Sequence, residues 1–276
     1  MASETGVLDV PPEKVLLKDR IHPGRMFMLD TDEGRLVDDA ELKSAIAAQR
    51  PYGEWLRENR VSLDDLPEVP QQPTLSRDIL LARQVAFGYT LEDLRMIMEP
   101  MAETGTEPIG SMGNDTPLAV LSEQSPVLFN YFKQLFAQVS NPPLDAIREE
   151  LVTSLESRVG SEGNLFSETP GQCRTLRVKR PVLTNAELEK MRRIDMPGLK
   201  AKTIRTLFTT DENDGALARA VRRICEEAYE AVQEGNTIII LSDRGVDVYN
   251  APIPSLLAVA GVHHHLIRQG VRTKVS

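Results

Sequence analysis

The sequence predicts an α/β protein, and three features of its last third carry the prediction. Apolar residues recur every three or four positions over residues 214–234, as in an amphipathic helix. The run TIIIL at residues 237–241 has the composition of a strand buried on both faces. A strand at 203–208 precedes them, and a helix at 254–269 follows. This alternation with short connections favours a parallel sheet with right-handed crossovers.

The first sixty residues predict a β-hairpin followed by helices. Residues 25–30 and 35–38 form its strands, and Gly34 supplies the positive φ that the turn between them needs. A polar helix is expected over residues 39–49, and a short helix follows Pro51. A further strand is expected at residues 5–10, before the hairpin.

The middle of the chain predicts a linker and then mostly helices. Residues 63–73 are rich in proline and acidic residues, so a domain boundary is expected near them. Ser76 begins a helix that ends before Gly88, and the turn at residues 90–93 resembles a capping box for the next helix. A buried strand is expected at residues 118–121 and a helix at residues 127–138. A second strand is expected at residues 176–178 and a second helix at residues 186–191.

Composition excludes several function classes. The chain has 276 residues, 41% hydrophobic and 26% charged, with a net charge of −9, as in a soluble globular protein. An acidic chain without a basic block is a poor candidate for binding nucleic acid. No apolar run reaches the roughly 20 residues that span a bilayer, and the first residues do not show the basic-then-apolar pattern of a signal peptide. Cys173 and Cys225 form no CxxC pair, which indicates a reducing cytosol rather than a disulfide framework.

The recognisable short motifs have structural interpretations. Three consecutive histidines, His263–His265, cannot converge on one metal because neighbouring helix residues point about 100° apart. Residues 211–215 depart from the spacing of a calcium loop and are better interpreted as a helix cap. Residues 110–113 (GSMG) predict a tight turn by themselves. Both ends of the chain fall in predicted strands, residues 5–10 and 271–275, so the chain is expected to be an internal piece of a longer protein.

Residues 110–155 contain the most specific pattern in the chain, GSMGNDTPLAVLSEQSPVLFNYFKQLFAQVSNPPLDAIREELVTSL. This segment resembles the middle region of the large subunit of glutamate synthases. The resemblance extends to ASETGVLDVPPEKVLLKDRIHPGRMFMLDTDEGRLVDD near the start and to GNTIIILSDRGVD and AVAGVHHHLIRQGVRTKV near the end. These flavin and iron–sulfur amidotransferases make glutamate from glutamine and 2-oxoglutarate.

The resemblance implies a two-part organisation. Residues 1–65 correspond to the C-terminal edge of a class II glutamine amidotransferase (glutaminase) domain, expected as a small β-rich remnant with a linker. Residues 66–276 correspond to the central domain, an α/β domain that resembles a rudimentary FMN-type (β/α) barrel. By this resemblance the central domain connects the glutaminase and FMN synthase domains and helps to line the ammonia tunnel, and the chain alone is expected to be inactive.

The resemblance also implies site residues. Met112, Ser140 and Asn141 correspond to positions along the tunnel, where the family more usually has Thr in place of Ser140. Asp243 and Arg244 follow the TIIIL strand, at the carboxyl end where α/β folds place their ligands. In the family the adjoining surface packs against the flavin domain, so an interface pair is expected there.

The resemblance places the cofactors and catalytic groups outside this chain. FMN and an iron–sulfur cluster belong to the parent enzyme, and Cys173 and Cys225 match no cluster spacing. The expected partners are the glutaminase and FMN-barrel domains of the same polypeptide, with a small NADPH-oxidising subunit or ferredoxin as electron donor. The expected location is the cytoplasm, or the plastid stroma in a eukaryote.

Two other functions remain open from the residues. The chain could be a freestanding α/β module that binds other subunits and holds no channel. It could also be a small independent flavin oxidoreductase, although no phosphate-binding glycine cluster follows a late strand.

Overall fold

A computed structural model describes residues 4, 6–70, 75–106, 108, 117–124, 126–132, 149, 152–164, 166–210 and 214–276. The chain divides into two compact units, Met1–Arg57 and Glu58–Ser276. The division falls within the helix Tyr52–Asn59.

The first unit contains the predicted hairpin and helices. Strand β1 (Met28–Asp30) pairs antiparallel with β2 (Arg35–Val37), and Gly34 has φ 66° in the turn, so the hairpin prediction is confirmed. Helix α1 (Asp39–Ala47) and helix α2 (Tyr52–Asn59) follow, and a single 3-10 turn, Pro12–Lys14, precedes the hairpin. The strand predicted at residues 5–10 is wrong, because residues 6–8 form a turn and bends and residues 9 and 10 have no regular secondary structure.

The second unit begins with residues that overlap the predicted linker at 63–73. Strand β3 (Val61–Ser62) and the 3-10 turn Leu63–Asp65 lead to Leu66. The side chains of Leu63 and Leu66 are buried in a core, so the linker prediction is wrong for these residues. Its local composition is polar, but β3 pairs in parallel with a strand more than a hundred residues later, which a local pattern does not show.

The helical middle begins as predicted. Helix α3 (Arg77–Ala86) is capped by Ser76 and followed by Gly88 at φ 74°. A capping box forms next, because the backbone N–H of Thr90 donates a 2.8 Å hydrogen bond to Asp93 Oδ2 and the backbone N–H of Asp93 donates a 3.1 Å bond to Thr90 Oγ1. A π-helix (Asp93–Met98) continues into helix α4 (Glu99–Thr104).

The prediction of a buried strand at residues 118–121 is wrong. A 3-10 turn, Ala119–Leu121, occupies this position, with only Ala119 buried and Val120 and Leu121 exposed. A second 3-10 turn, Leu128–Phe132, stands at the start of the helix predicted over residues 127–138, and residues 133–138 lie outside the described residues.

Three small sheets build the rest of the second unit. The first has the order β3-β5-β4, with β4 (Ser157–Val159) antiparallel to the predicted strand β5 (Leu176–Val178). The second has the order β6-β7-β9, from β6 (Asp195–Met196), β7 (Leu199–Arg205) and β9 (Ile238–Ser242). The third pairs β8 (Leu207–Thr209) with β10 (Asn250–Pro252).

Three helices accompany these sheets, each close to its predicted range. They are α5 (Asn185–Arg192), α6 (Ala216–Gln233) and α7 (Ser255–Arg268). β7 and β9 are parallel and are connected through α6, which confirms the predicted β-α-β alternation. The strand predicted at 271–275 is wrong, because a 3-10 turn, Arg272–Lys274, stands there.

The largest core lies between α6, α7 and one face of the β7–β9 sheet. Ile224 and Ala228 of α6 and Ala258 and Leu266 of α7 are almost completely buried in it. Gly261 lets the two helices approach, because a Cβ there would lie 3.2 Å from Val221 Cγ1. A second core, on the other face, contains leucine, isoleucine and valine residues of β5, β7 and β9.

The chain is therefore a mixed α/β protein with small sheets, as predicted at the level of fold class. The four sheets of the described residues have two or three strands each, and none is a closed barrel. None of the helices in the part of the chain that the structure describes has the length and apolar character of a membrane span.

Candidate functional site

Ser242 lies at the carboxyl end of β9 and organises the residues around it. Its side chain is only 6% exposed, and its Oγ accepts a 2.9 Å hydrogen bond from Arg192 Nη2. The same oxygen accepts a longer bond of 3.4 Å from the backbone N–H of Arg244. A single hydroxyl thus connects the end of the strand to helix α5 and to the loop that follows β9.

Helix α5 is bound to this strand end through both of its ends. Asn185, its first residue, accepts a 2.7 Å hydrogen bond from Arg244 Nη2 through Oδ1. Arg192, its last residue, reaches Ser242, and its buried Nε has no hydrogen-bond partner in the described part of the chain. Burial, and then the positive charge of Arg244, lower the pKa of Arg192. The site is therefore rich in positive charge and partly desolvated.

The loop after Arg244 carries exposed apolar side chains on a fixed backbone. Asp247 Oδ1 accepts hydrogen bonds of 2.8 and 2.9 Å from the backbone N–H groups of Tyr249 and Asn250. The pKa of Asp247 is lowered most by a hydrogen bond from the Asn250 side chain and further by these two backbone bonds. Val248 and Tyr249 are nevertheless 81% and 68% exposed. Apolar side chains held outward in this way are typical of surfaces that contact another protein.

Nowhere in the described ranges do three or more His, Cys, Asp or Glu side chains form a group that could hold a metal ion. Burial raises the pKa of the Cys225 thiol, which disfavours the thiolate that nucleophilic chemistry needs. Within the loop, the backbone N–H groups of Arg244, Asp247 and Tyr249 donate hydrogen bonds to Ser242 Oγ, Asn250 O and Asp247 Oδ1.

The structure places two of the predicted site residues at the expected strand end. Asp243 is exposed there and Arg244 is half-buried. The predicted tunnel residues, Met112, Ser140 and Asn141, lie outside the described residues, as does the turn at 110–113.

Sequence reasoning missed Asn185 and Arg192, which complete the site. Two signals could have indicated them. The pattern Thr184–Asn185–Ala186–Glu187 is a capping box that fixes the start of α5. A spacing of seven residues then places Asn185 and Arg192 on one face of that helix.

The histidine run behaves as a structural feature. His263 is exposed and its Nδ1 accepts a 3.0 Å hydrogen bond from Arg272 Nε. The His263 and His264 rings meet edge to face, with centroids 5.1 Å apart. The helix cap predicted at residues 211–215 is described only in part. Residues 211–213 lie outside the described residues, and Gly215 directly precedes α6 with φ 94°.

Comparison with known proteins identifies the family. The family described as glutamate synthase central domain matches residues 82–276. The chain belongs to this family. Residues 1–55 also match the family of class-II glutamine amidotransferases. The order of the two matches is the order of the two structural units.

Individual relatives are similar over the whole chain. The chain is 46% identical to the glutamate synthase (NADPH) large chain of Bacillus subtilis over 275 residues, all of this chain and 18% of that protein. It is 42% identical to the glutamate synthase (NADH) of Schizosaccharomyces pombe, of which it covers 14%. It is 40% identical to the ferredoxin-dependent chloroplastic glutamate synthase of Spinacia oleracea, of which it covers 17%. The chain thus spans less than a fifth of the length of these curated relatives.

Proposed function

We propose that this chain is the part of a glutamate synthase large subunit that connects the glutaminase domain to the FMN synthase domain. The intact enzyme makes glutamate from glutamine and 2-oxoglutarate. The similarity to three synthases that are named for three different electron donors carries this proposal. A segment shared by all three suits a role that does not depend on the donor, such as joining domains and guiding ammonia.

The proposed domains are the glutaminase edge at residues 1–65 and the central domain at residues 66–276. The parallel β7–α6–β9 unit supports the resemblance of the central domain to a rudimentary FMN-type barrel. The first compact unit ends at Arg57, so residues 58–65 of the glutaminase edge belong to the second unit. Limited proteolysis with mass spectrometry tests the division, and stable fragments are expected to end between Arg57 and Ser76.

The proposed tunnel function rests on Met112, Ser140 and Asn141. Ammonia must remain neutral to react, and a conduit that excludes bulk water prevents its capture as ammonium. An apolar methionine and a Ser-Asn pair followed by two prolines are suitable wall groups, because the methionine excludes water and the proline restricts the backbone that presents the polar atoms.

The test is the coupling ratio of an intact synthase that carries this sequence. Met112→Lys is expected to lower the glutamate formed per glutamine hydrolysed and to release free ammonium. Met96→Lys is the matched control, because Met96 is exposed on the π-helix. Synthesis from added ammonium should persist in both variants, which separates leakage from loss of the flavin site. Unchanged coupling in Met112→Lys would reject the tunnel assignment.

The proposed interface with neighbouring domains contains Asp243 and Arg244. The exposed Val248 and Tyr249 beside them support this assignment. The proposed partners are the glutaminase and FMN-barrel domains of the same polypeptide, and a small NADPH-oxidising subunit or ferredoxin for the whole enzyme. In the intact subunit, amide exchange at residues 243–249 should be slower than in this chain alone, and equal exchange would contradict the interface.

We further propose that FMN and the iron–sulfur cluster of the intact enzyme bind to domains outside this chain. The proposed location of the intact enzyme is the cytoplasm, or the plastid stroma in a eukaryote. The purified chain is then expected to be colourless, and a stoichiometric bound FMN would overturn this assignment.

A freestanding interaction module is the second candidate, which the exposed apolar loop also favours. The mass of the native polypeptide discriminates, because the synthase proposal requires one several times longer than 276 residues.

A further inference from the structure

One edge of the β7–β9 sheet offers unused backbone groups. Among the described residues, β9 forms a ladder only with β7, and its opposite edge contacts just the last residue of the chain. Ile239 N donates a 2.8 Å bond to Ser276 O, and Ser276 N donates a 3.0 Å bond to Thr237 O. This pair of bonds is the pattern of a parallel bridge between Ser276 and Ile238.

The positions before Ser276 fix the direction of this pairing. Val275 is extended, with φ −145° and ψ 146°, and its side chain is buried in the core of α6 and α7. Ser276 Oγ faces the other way, where it bonds to the backbone N and O of Gly160 at 3.0 and 2.8 Å. The alternation of a strand is therefore established at the first position of a pairing with β9.

An apolar groove continues from this position. A cavity of about 350 Å³ lies beside the free edge, and its walls are mainly aliphatic side chains of β9 and α7: Ile239, Leu241, Val259, Val262 and Leu266. Residues two apart in a strand present their backbone groups to the same side, so the N–H and C=O of Leu241 face the free edge as those of Ile239 do.

We propose that this edge and groove bind an extended strand, parallel to β9, that continues the polypeptide after Ser276. The second residue after Ser276 would bond to Ile239 O and Leu241 N. The first and third residues would share the face of Val275 and fill the groove, so they should be apolar. The relatives are several times longer than this chain. This inference rests on the proposed function, in which the chain is an internal part of a longer subunit, and it does not depend on the ammonia tunnel or the interface loop.

The test adds three residues to the full 276-residue chain in two registers. Val-Thr-Val places its valines in the groove, and Thr-Val-Thr places its single valine on the opposite face. The readout is hydrogen exchange of the Leu241 amide, followed by NMR. We expect Val-Thr-Val to slow this exchange at least tenfold and Thr-Val-Thr to slow it much less. The Ile240 amide, which faces β7, is the internal control.

Two groove variants test the specificity of the effect. Val259 and Leu256 are both exposed on α7, but only Val259 lines the groove. Val259→Asp should remove the difference between the two extensions, whereas Leu256→Asp should preserve it. Equal exchange in the two registers, or an unchanged Leu241 amide, would overturn the proposal. Protection of Leu241 that rises with the concentration of the unextended chain would also overturn it, because a second copy would then cover the edge.

Discussion

The first unit and the last third of the second unit are stabilised by different interactions. In residues 199–276, α6 and α7 bury a continuous set of apolar side chains against the sheet. Among the described residues of Met1–Arg57, none is buried. Instead, Arg35 forms ion pairs of 2.6 and 2.7 Å with Glu33 and Glu41 across the hairpin and α1, and these side chains remain about half exposed.

This difference indicates where the stability of the chain resides. Burial of apolar surface is the dominant favourable term in folding, whereas exposed ion pairs contribute little and isolated two-stranded hairpins are marginal. Phe27, Leu29 and Leu36 are exposed on the hairpin of the first unit. A unit of this kind is typical of a segment that gains stability by packing against further protein.

The largest expected effect is the removal of a buried side chain from the α6 core. Ile224 is 0% exposed, and Ile224→Ala should lower the free energy of unfolding by about 2–5 kcal/mol through lost burial and a residual cavity. Leu29→Ala on the hairpin should change the same quantity by less than about 0.5 kcal/mol, because that side chain is already exposed. Urea unfolding followed by circular dichroism measures both. Similar losses in the two variants would contradict the comparison.

An intermediate effect is expected from the polar group at the end of β9. Ser242→Ala removes the acceptor of Arg192 Nη2 at a buried position, so we expect a loss of about 1–3 kcal/mol in the free energy of unfolding. Ser255→Ala, at the exposed start of α7, is the matched control and should be nearly neutral. A neutral Ser242→Ala would show that water or a rotated Arg192 replaces the lost bond.

Local patterns predicted the last third of the fold because its elements are long and periodic. Leu217, Val221 and Ile224 lie on one face of α6, and the sequence spacing alone indicates that face. The errors fall where pairing is non-local. Leu63 and Leu66 lie in a polar stretch, yet β3 pairs with β5 and buries both. At residues 118–121 a 3-10 turn stands in place of the predicted strand. This error arose because a short apolar run is compatible with either structure.

The candidate site was predictable only in part for the same reason. The sequence alone predicts Asp243 and Arg244 as site residues, because the apolar run of β9 and the position where it ends can be recognised locally. The partners Asn185 and Arg192 come from a helix about fifty residues earlier, and only tertiary packing brings them to Ser242 and Arg244. The proposed tunnel positions rest on resemblance and stay predictions.

The smallest expected effect is a difference in acid sensitivity between the two regions. The N–H of Met26, followed by Lys43, lowers the pKa of Asp39, and Arg35 lowers the pKa of Glu41. The folded pKa values of Asp39 and Glu41 lie below the ordinary values of 3.8 and 4.5. The resulting stabilisation is therefore fully present at pH values above the ordinary pKa values, and it is lost as the pH falls through the lower, folded pKa values. The protection factors of the Met28–Val37 amides should therefore fall between about pH 5 and about pH 3, whereas that of the buried Ile224 amide should not.

Charge removal identifies the groups responsible for this acid sensitivity. Asp39→Asn together with Glu41→Gln should weaken the hairpin at neutral pH and make its protection nearly independent of pH, because no carboxylate remains to be protonated at these positions. Glu54→Gln, at an exposed carboxylate on α2, should preserve the pH dependence. If the Ile224 amide instead loses protection together with the hairpin amides, the two regions unfold as one, and burial and surface charge cannot be assigned to separate parts of the chain.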